Sequence, residues 1–471
     1  MNLHNCFKYL LFIGFVTVCP SGLAVSGETP ALAKQLTVGE FTRLAATKDT
    51  EFETILIDEL IVNYQKDLKL PAGDLVLSVK QQYDFFIEQD RDAPATEISL
   101  SRLFPQSGTE VALAYDVGAS LASSVKASKL SFNVSQPIAR NAFGRSTKLL
   151  DKIVGLEMDV ARHQIVEAYE DYLAAITAAY YNWYEDYRNL EIGRSSYVEN
   201  LKLLDDIRKR QAQNIALPID VNKVELQVLA KKENVLELEE KLKTSLQLIR
   251  TVIRYEGNEQ LEPVESAVPV SLAGSFEKLF EQFSKESRTF QILKKLAEKS
   301  SLQVARDADD LFPSINLIAG YEIQGEDYGL ENSSDVISAG VSFRFPFGNQ
   351  VEKAEYEVSK VLADKSKLET QNTWYRLYAQ LTGLYLQIER ESKLIKIADE
   401  KIGLARAIVK DETENYSFGK VTLNDYIQAV NVLDSNRFNK VLHESRHRKL
   451  LIEWLRLMDR LVSRKEIKGL P

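Results

Sequence analysis

The chain has 471 residues, of which 45% are hydrophobic and 27% are charged. It is therefore too apolar for wholesale disorder and long enough for a large ordered structure. The formal net charge of −9 argues against nucleic acid as a partner.

Residues 1–26 are predicted to be a secretory signal peptide. Lys8 is the only Lys, Arg, Asp or Glu in this segment, an apolar core follows at Tyr9 to Val18, and Ala24-Val25-Ser26 offers a cleavage site. No later apolar run is long enough for a transmembrane helix. A membrane-embedded part is therefore expected to consist of β-strands.

Both cysteines of the chain, Cys6 and Cys19, lie in this leader. Cleavage at Ser26 would leave a mature chain without thiols, held together by packing. Cys19 also raises the alternative of a lipoprotein signal, although Val18 before it is large for such a signal. Whether Cys19 carries a lipid stays open at this point.

The remainder of the chain consists of two copies of an internal sequence repeat. At an offset of 205 residues, the matched pairs are Tyr169 with Trp374, Tyr180 with Tyr385, Leu204 with Val409, Asp220 with Asp425, Val228 with Leu433, Leu246 with Leu451 and Ile253 with Met458. We predict a first repeat at 27–262 and a second at 263–471. Each would contain a short helix, strands, a long helix, a turn and a further helix.

The strand regions are expected at about 73–137 and about 314–346, where apolar residues alternate with small or polar ones. Such strands fit either a transmembrane barrel wall or a soluble sandwich. The first region is about twice as long as the second. Its surplus, 96–118, is predicted to form two strands around Ser107-Gly108, either as a further hairpin in the wall or as an extracellular flap.

Long helices are predicted at about 145–213 and about 351–415, because these stretches lack proline and have apolar residues three and four apart. Each would be roughly 100 Å long. Shorter helices follow at about 218–255 and about 422–463. Helices of this length predict a rod or a tube.

The two helical reversals are predicted to be tight turns. Gly419 suits the left-handed residue after a helix, and Thr422 with Asp425 forms a capping box for the next helix. The first copy has Asn214 as the left-handed residue and Pro218 in the first turn. Asp220 and Asp425 therefore have a local explanation, which is compensation of the helix dipole.

The turn YSFGKVTLNDYIQA (416–429), the segments SFNVSQPI (131–138) and ISAGVSFRFPFG (337–348), the leader and the duplication together resemble the TolC-like outer membrane factor family. The resemblance covers nearly the whole mature chain. It implies long antiparallel helical hairpins in a periplasmic α-barrel, with the strands of three copies pooled in one outer-membrane β-barrel.

The same resemblance implies a function and partners. The chain would be the exit channel of a tripartite efflux pump or type I secretion system in the outer membrane, extending into the periplasm. It would act as a homotrimer with a periplasmic adaptor protein, an inner-membrane transporter and outer membrane lipid. The transported substrate cannot be identified from the residues.

Site residues also follow from the resemblance. Asp425 and Gln428 match the channel constriction, where Gln428 replaces a second acid. Asp220 and Tyr416 match an entrance latch, in which Val421 replaces an arginine. The tips that would contact the adaptor contain Asn214, Leu217, Pro218, Gly419 and Thr422.

HESRH (443–447) matches the zinc-protease pattern H-E-x-x-H, with Glu466 downstream as a third ligand. His443, Glu444 and His447 would then form a metallopeptidase site. At the repeat offset, however, the two histidines align with Leu238 and Leu242, which favours a position in a helix seam and no metal.

The alternatives are a periplasmic adaptor and a coiled-coil structural protein. An adaptor would carry one helical hairpin, whereas two are predicted here, and a coiled coil would not explain the alternating strands. No phosphate loop, nucleophile triad or catalytic carboxylate pair occurs in the sequence. We therefore expect neither enzymatic activity nor a cofactor.

Overall fold

The computed structural model describes residues 34–86, 91–119, 126–257, 259–266, 268, 274–326, 329–330 and 334–462. The predicted signal peptide, both cysteines and Glu466 lie outside these ranges. The described helices are α1 (Val38–Lys48), α2 (Thr50–Val62), α3 (Gln65–Lys69), α4 (Arg145–Ala212), α5 (Pro218–Val252), α6 (Phe276–Glu286), α7 (Arg288–Asp310), α8 (Gln350–Ser417) and α9 (Leu423–Leu457). The described strands are β1 (Lys34–Leu36), β2 (Leu75–Phe86), β3 (Arg91–Phe104), β4 (Thr109–Ala119), β5 (Lys126–Pro137), β6 (Leu261–Pro263), β7 (Ser314–Glu326) and β8 (Ser334–Arg344).

None of these helices contains an apolar stretch that could cross a membrane.

The four long helices confirm the internal repeat. Helices α4 and α8 each have 68 residues, and α5 and α9 each have 35 residues. The second member of each pair begins 205 residues after the first. The repeat therefore runs without insertion or deletion across both helical hairpins.

Residues with left-handed backbone conformation mark the helix boundaries of both copies at the same offset. These residues, with their φ angles, are Gly144 (75°) and Asn349 (46°), Asn214 (60°) and Gly419 (69°), and Arg254 (46°) and Asp459 (56°). Four of these six residues are glycine or asparagine, the types that favour this conformation most. The second member of the last pair, Asp459, also bonds its carboxylate to the backbone N–H of Arg288 at 2.6 Å, which fixes the end of α9 to the start of α7.

Six strands form one antiparallel sheet in the order β2-β3-β4-β5-β7-β8. The surplus segment 96–118 forms most of β3 and β4, so it is a further hairpin within the sheet. Neighbouring residues on one face form the apolar row Leu77, Leu100, Leu113, Phe132, Tyr321 and Ile337. On the opposite face lies the polar row Lys80, Glu97, Asp116, Lys129, Gln324 and Ser334.

Helix α4 is the central element of the helical part. It packs against α5, α7 and α9, and α7 in turn packs against α8. Its aromatic residues Tyr169, Tyr180 and Trp183 are fully buried in the largest described core cluster. These aromatic residues therefore serve interhelical packing.

Tyr180 ties this core to a two-stranded parallel sheet, β1 with β6. Its hydroxyl lies 2.7 Å from the Leu36 carbonyl and 2.9 Å from the Val264 carbonyl, and it accepts from the Val264 N–H at 3.0 Å. Since α4 belongs to one repeat and Val264 to the next, this hydroxyl joins the two halves of the chain.

We predict that Tyr180→Phe lowers the free energy of unfolding by about 1–3 kcal/mol. The Val264 carbonyl would lose its hydroxyl partner, and the Leu36 carbonyl and Val264 N–H would keep only their mutual bond at 3.2 Å. Thermal melting followed by circular dichroism would measure the change. Tyr375→Phe is the matched control, since Tyr375 is 67% exposed. Equal melting temperatures for the two variants would contradict the role given to the Tyr180 hydroxyl.

Candidate functional site at the helical tips

The two helical reversals have the same backbone geometry with different residues. The Ile215 N–H donates to the Arg210 carbonyl at 2.8 Å, and the Lys420 N–H donates to the Asn415 carbonyl at 2.9 Å. Both bonds close a Schellman motif around a left-handed residue, Asn214 or Gly419. In both copies the chain therefore reverses its direction in the few residues between the two helices.

Both aspartates of the tips cap the helix that follows. The Asp425 carboxylate accepts from the Thr422 hydroxyl at 2.7 Å and from its N–H at 3.0 Å. These two hydrogen bonds lower the pKa of Asp425, the hydroxyl contributing more than the N–H. The Asp220 carboxylate accepts from the Leu217 N–H at 3.3 Å. Both aspartates therefore have a local role at the start of a helix, whatever else they do.

Tyr416 is partly buried at the tips. Its ring stacks on Tyr426 with centroids 6.2 Å apart and planes at 12°. The Arg210 guanidinium lies 5.1 Å from the Tyr416 ring centroid. Burial raises the pKa of the Tyr416 hydroxyl, the Arg210 charge lowers it, and the Asp220 charge raises it.

Arg210 is the residue that the sequence analysis missed. The family's arginine position is occupied by Val421, but a guanidinium reaches the predicted latch from the last turn of α4. Its one sequence signal is its position four residues before Asn214, which places it beside the reversal. The structure thus brings Arg210, Asp220 and Tyr416 to one place.

The remaining predicted tip residues lie on the surface. Gln428, Pro218, Gly419 and Asn214 are exposed, and Leu217 is 64% exposed. Thr422, which is exposed too, accepts from the Asp425 N–H at 3.3 Å. In the single chain, the tips are therefore accessible to another molecule.

Further along the helices, a buried charge joins the two hairpins. Asp434 of α9 is 3% exposed and accepts from the Ser196 hydroxyl of α4. The Lys231 ammonium of α5 lies 2.8 Å from the same carboxylate, and the Arg437 guanidinium lies 3.5 Å from it. Three helices from both repeats therefore meet at one ion cluster.

A cleft of about 490 Å³ lies beside this cluster, between α4 and α8 with α9 as its floor. Lys202, Arg406 and Lys410 line it. Within the described parts of the chain, these three side chains take part in no ion pair. Glu199 and Asp206 also line the cleft, so its charged lining is mixed, with more positive than negative side chains.

The residues of the HESRH pattern do not converge. His443 lies 2.7 Å from the buried Glu391 of α8, and Glu444 lies 3.6 Å from Lys440. Desolvation lowers the pKa of His447. No group of three or more His, Cys, Asp or Glu side chains within the described ranges is arranged to hold a metal ion. The histidines lie in the α8–α9 seam.

No protein-family model matches the sequence, and no curated protein matches it. The structure is similar to that of CusC, whose crystal structures concern the conformational changes that accompany folding and transmembrane channel formation. The TM-score is 0.69 at 11% identity, with 91% of this chain and 93% of that chain covered. The outer membrane protein VceC of Vibrio cholerae matches at TM-score 0.67 and 12% identity, with 89% and 95% covered.

The MtrE outer membrane channel of Neisseria gonorrhoeae, in its open state, matches at TM-score 0.67 and 10% identity, with 90% of this chain and 89% of that chain covered. The chain has the outer membrane channel fold. This confirms, for the fold, the resemblance to the TolC-like outer membrane factors. Within the outer membrane channel fold, the site described above lies at the helical end, away from the sheet.

Gly419→Ala and Gly403→Ala are predicted to have opposite effects on stability. An added methyl group meets nothing within 4 Å at either position, but only Gly419 has a positive φ, 69°. Alanine should cost about 1 kcal/mol at Gly419 and gain about 0.5–1 kcal/mol inside α8 at Gly403. Hydrogen exchange of residues 415–425 should accelerate only in the Gly419 variant. Slower exchange there would contradict the turn geometry.

Proposed function

We propose that this protein is the outer-membrane exit channel of a tripartite efflux pump or a type I secretion system. The observation that carries the proposal is the six-stranded sheet with one apolar and one polar face, continued by two antiparallel helical hairpins. The apolar face would contact lipid and the polar face would line a pore. The helices would extend this pore through the periplasm.

The proposed working form is a homotrimer. One chain contributes an open sheet and four long helices, which cannot enclose a pore alone. Exposed apolar side chains along α5 and α8, among them Leu226, Leu229, Val358, Val361 and Leu404, support burial against further copies. The helical tips would contact a periplasmic adaptor protein, and through it an inner-membrane transporter.

The proposed entrance is at these tips. Asp425 and Gln428, both exposed, would approach the axis and form a constriction of three carboxylates that attracts cations and repels anions. In the single chain the Asp425 carboxylate also caps α9. Both roles are compatible, because a carboxylate offers about four acceptor sites.

Opening would require α8 and α9 to slide against α4 and α5, as packed helices do between discrete arrangements. Two contacts oppose this motion: the Arg210–Tyr416 contact at the tips and the Asp434 cluster deeper in the hairpins. Removal of one partner of a buried ion pair is costly. The Asp434 cluster would therefore hold the α4–α5 hairpin and the α8–α9 hairpin in register.

Fractionation tests the proposed location and assembly. We expect the protein in outer membrane fractions, as a species that migrates at trimer mass without heating and at monomer mass after boiling. Recovery in the soluble periplasm would contradict the channel and favour an adaptor or scaffold.

The double variant Asp220→Ala with Tyr416→Ala is predicted to raise single-channel conductance in planar bilayers, because it removes the charge and the ring that Arg210 contacts in the proposed latch. Asp205→Ala with Tyr375→Ala is the matched control on exposed positions of α4 and α8. Trimers of normal mass with unchanged conductance in the first variant would remove the latch assignment.

A further inference from the structure

Both edges of the six-stranded sheet are open. The strand order is linear, so β2 and β8 each have one neighbour and one free side among the described strands. In hydrocarbon, an unpaired backbone N–H or C=O finds no water to replace its partner, and open sheet edges do not occur there. A sheet that contacts lipid must therefore pair these edges.

The two free edges complement each other. Strand β2 has 12 residues and follows α3, whereas β8 has 11 residues and leads into α8. They therefore run in opposite directions relative to the helical part. Placed side by side in two copies of the chain, they form an antiparallel pair of matched length.

We propose that three copies of this chain join through β2 of one and β8 of the next into a single barrel of 18 strands, six from each copy. The number of copies, three, rests on the proposed function. The number of strands per copy and the choice of β2 and β8 as partners rest on the observed sheet. The hairpin β3–β4 is then part of the barrel wall.

The widths of the two parts of the molecule support six strands per copy. Beside the sheet, each copy has four helices, α3, α4, α7 and α8, whose spacing of about 8–10 Å spans about 32–40 Å of circumference. Six strands about 4.8 Å apart and tilted about 40° span about 38 Å. Four strands would span only about 25 Å, so a wall without β3–β4 would be narrower than the tube below it.

The internal register predicts which residues meet at the seam. The row of neighbours that starts at Leu75, the first residue of β2, ends at Ala339, five residues before Arg344 at the end of β8. If this row continues by one more strand, it lies about six residues further from the helical part than at Leu75. Ala339 then lies opposite Gln81 of the next copy. An even shift is required, because an odd one would turn the apolar face inward.

This register places apolar residues opposite each other on the lipid side: Leu77 with Phe343, Val79 with Val341 and Tyr83 with Ile337. On the pore side it places Ser78 opposite Ser342. A rise of six residues over six strands corresponds to a tilt of about 35°, within the range of membrane barrels.

Cysteine cross-linking tests the seam. The variant S78C/S342C, in the full chain and in outer membranes, should form covalent dimers and trimers on oxidation that survive boiling and disappear on reduction. Directly opposed residues have the Cα separation that a disulfide needs. In a scan of S78C with G340C, S342C or R344C, the yield should be highest with S342C.

Two variants serve as controls. S78C/S131C joins β2 and β5, three strands apart, and should give no covalent oligomer. S99C/A114C joins paired residues of one chain and should oxidise without a gain in mass. Intact trimers in which none of the three scanned pairs cross-links between chains would overturn the seam. Absence of trimers in the parent protein would overturn the proposed function, and the seam with it.

Discussion

The structure depends on the spacing of its left-handed backbone positions. Gly144 and Asn214 are 70 residues apart, as are Asn349 and Gly419. Asn214 and Arg254 are 40 apart, as are Gly419 and Asp459. Helices can end only where the chain leaves the helical conformation, so these intervals make the two hairpins equal in length. Equal lengths let both tips end at one level, which a tube with a defined mouth requires.

Much of the fold could be predicted from the sequence because it follows from local rules. Sequence periodicity predicts the duplication and the long helices, and residues such as Gly419 and Pro218 predict both reversals. The sheet could be predicted as two-faced, but not the place of 96–118, since pairing between distant strands leaves no local signal. Only the pairing of β3 with both β2 and β4 decides that this hairpin belongs to the sheet.

The candidate site was predictable in position and less so in its contacts. Asp220, Asp425 and Tyr416 lie at the tips, as their motif indicates. Arg210 and Asp434 acquire their partners through the packing of α4 against α9, which depends on how two long helices are rotated toward each other. Asp434 aligns with Leu229 of the first repeat, so the repeat itself gives no hint of a charge there.

The polar face of the sheet has a consequence for selectivity. Its row of Lys80, Glu97, Asp116 and Lys129 contains two positive and two negative charges, so in the proposed channel this level of the pore wall would be balanced in sign. Fields from such neighbouring charges cancel beyond a Debye length of about 8 Å at physiological salt. In the proposed channel, a wide section with such a wall would pass cations and anions alike. Discrimination by charge would then be left to the narrow end, where carboxylates of one sign would face a common axis.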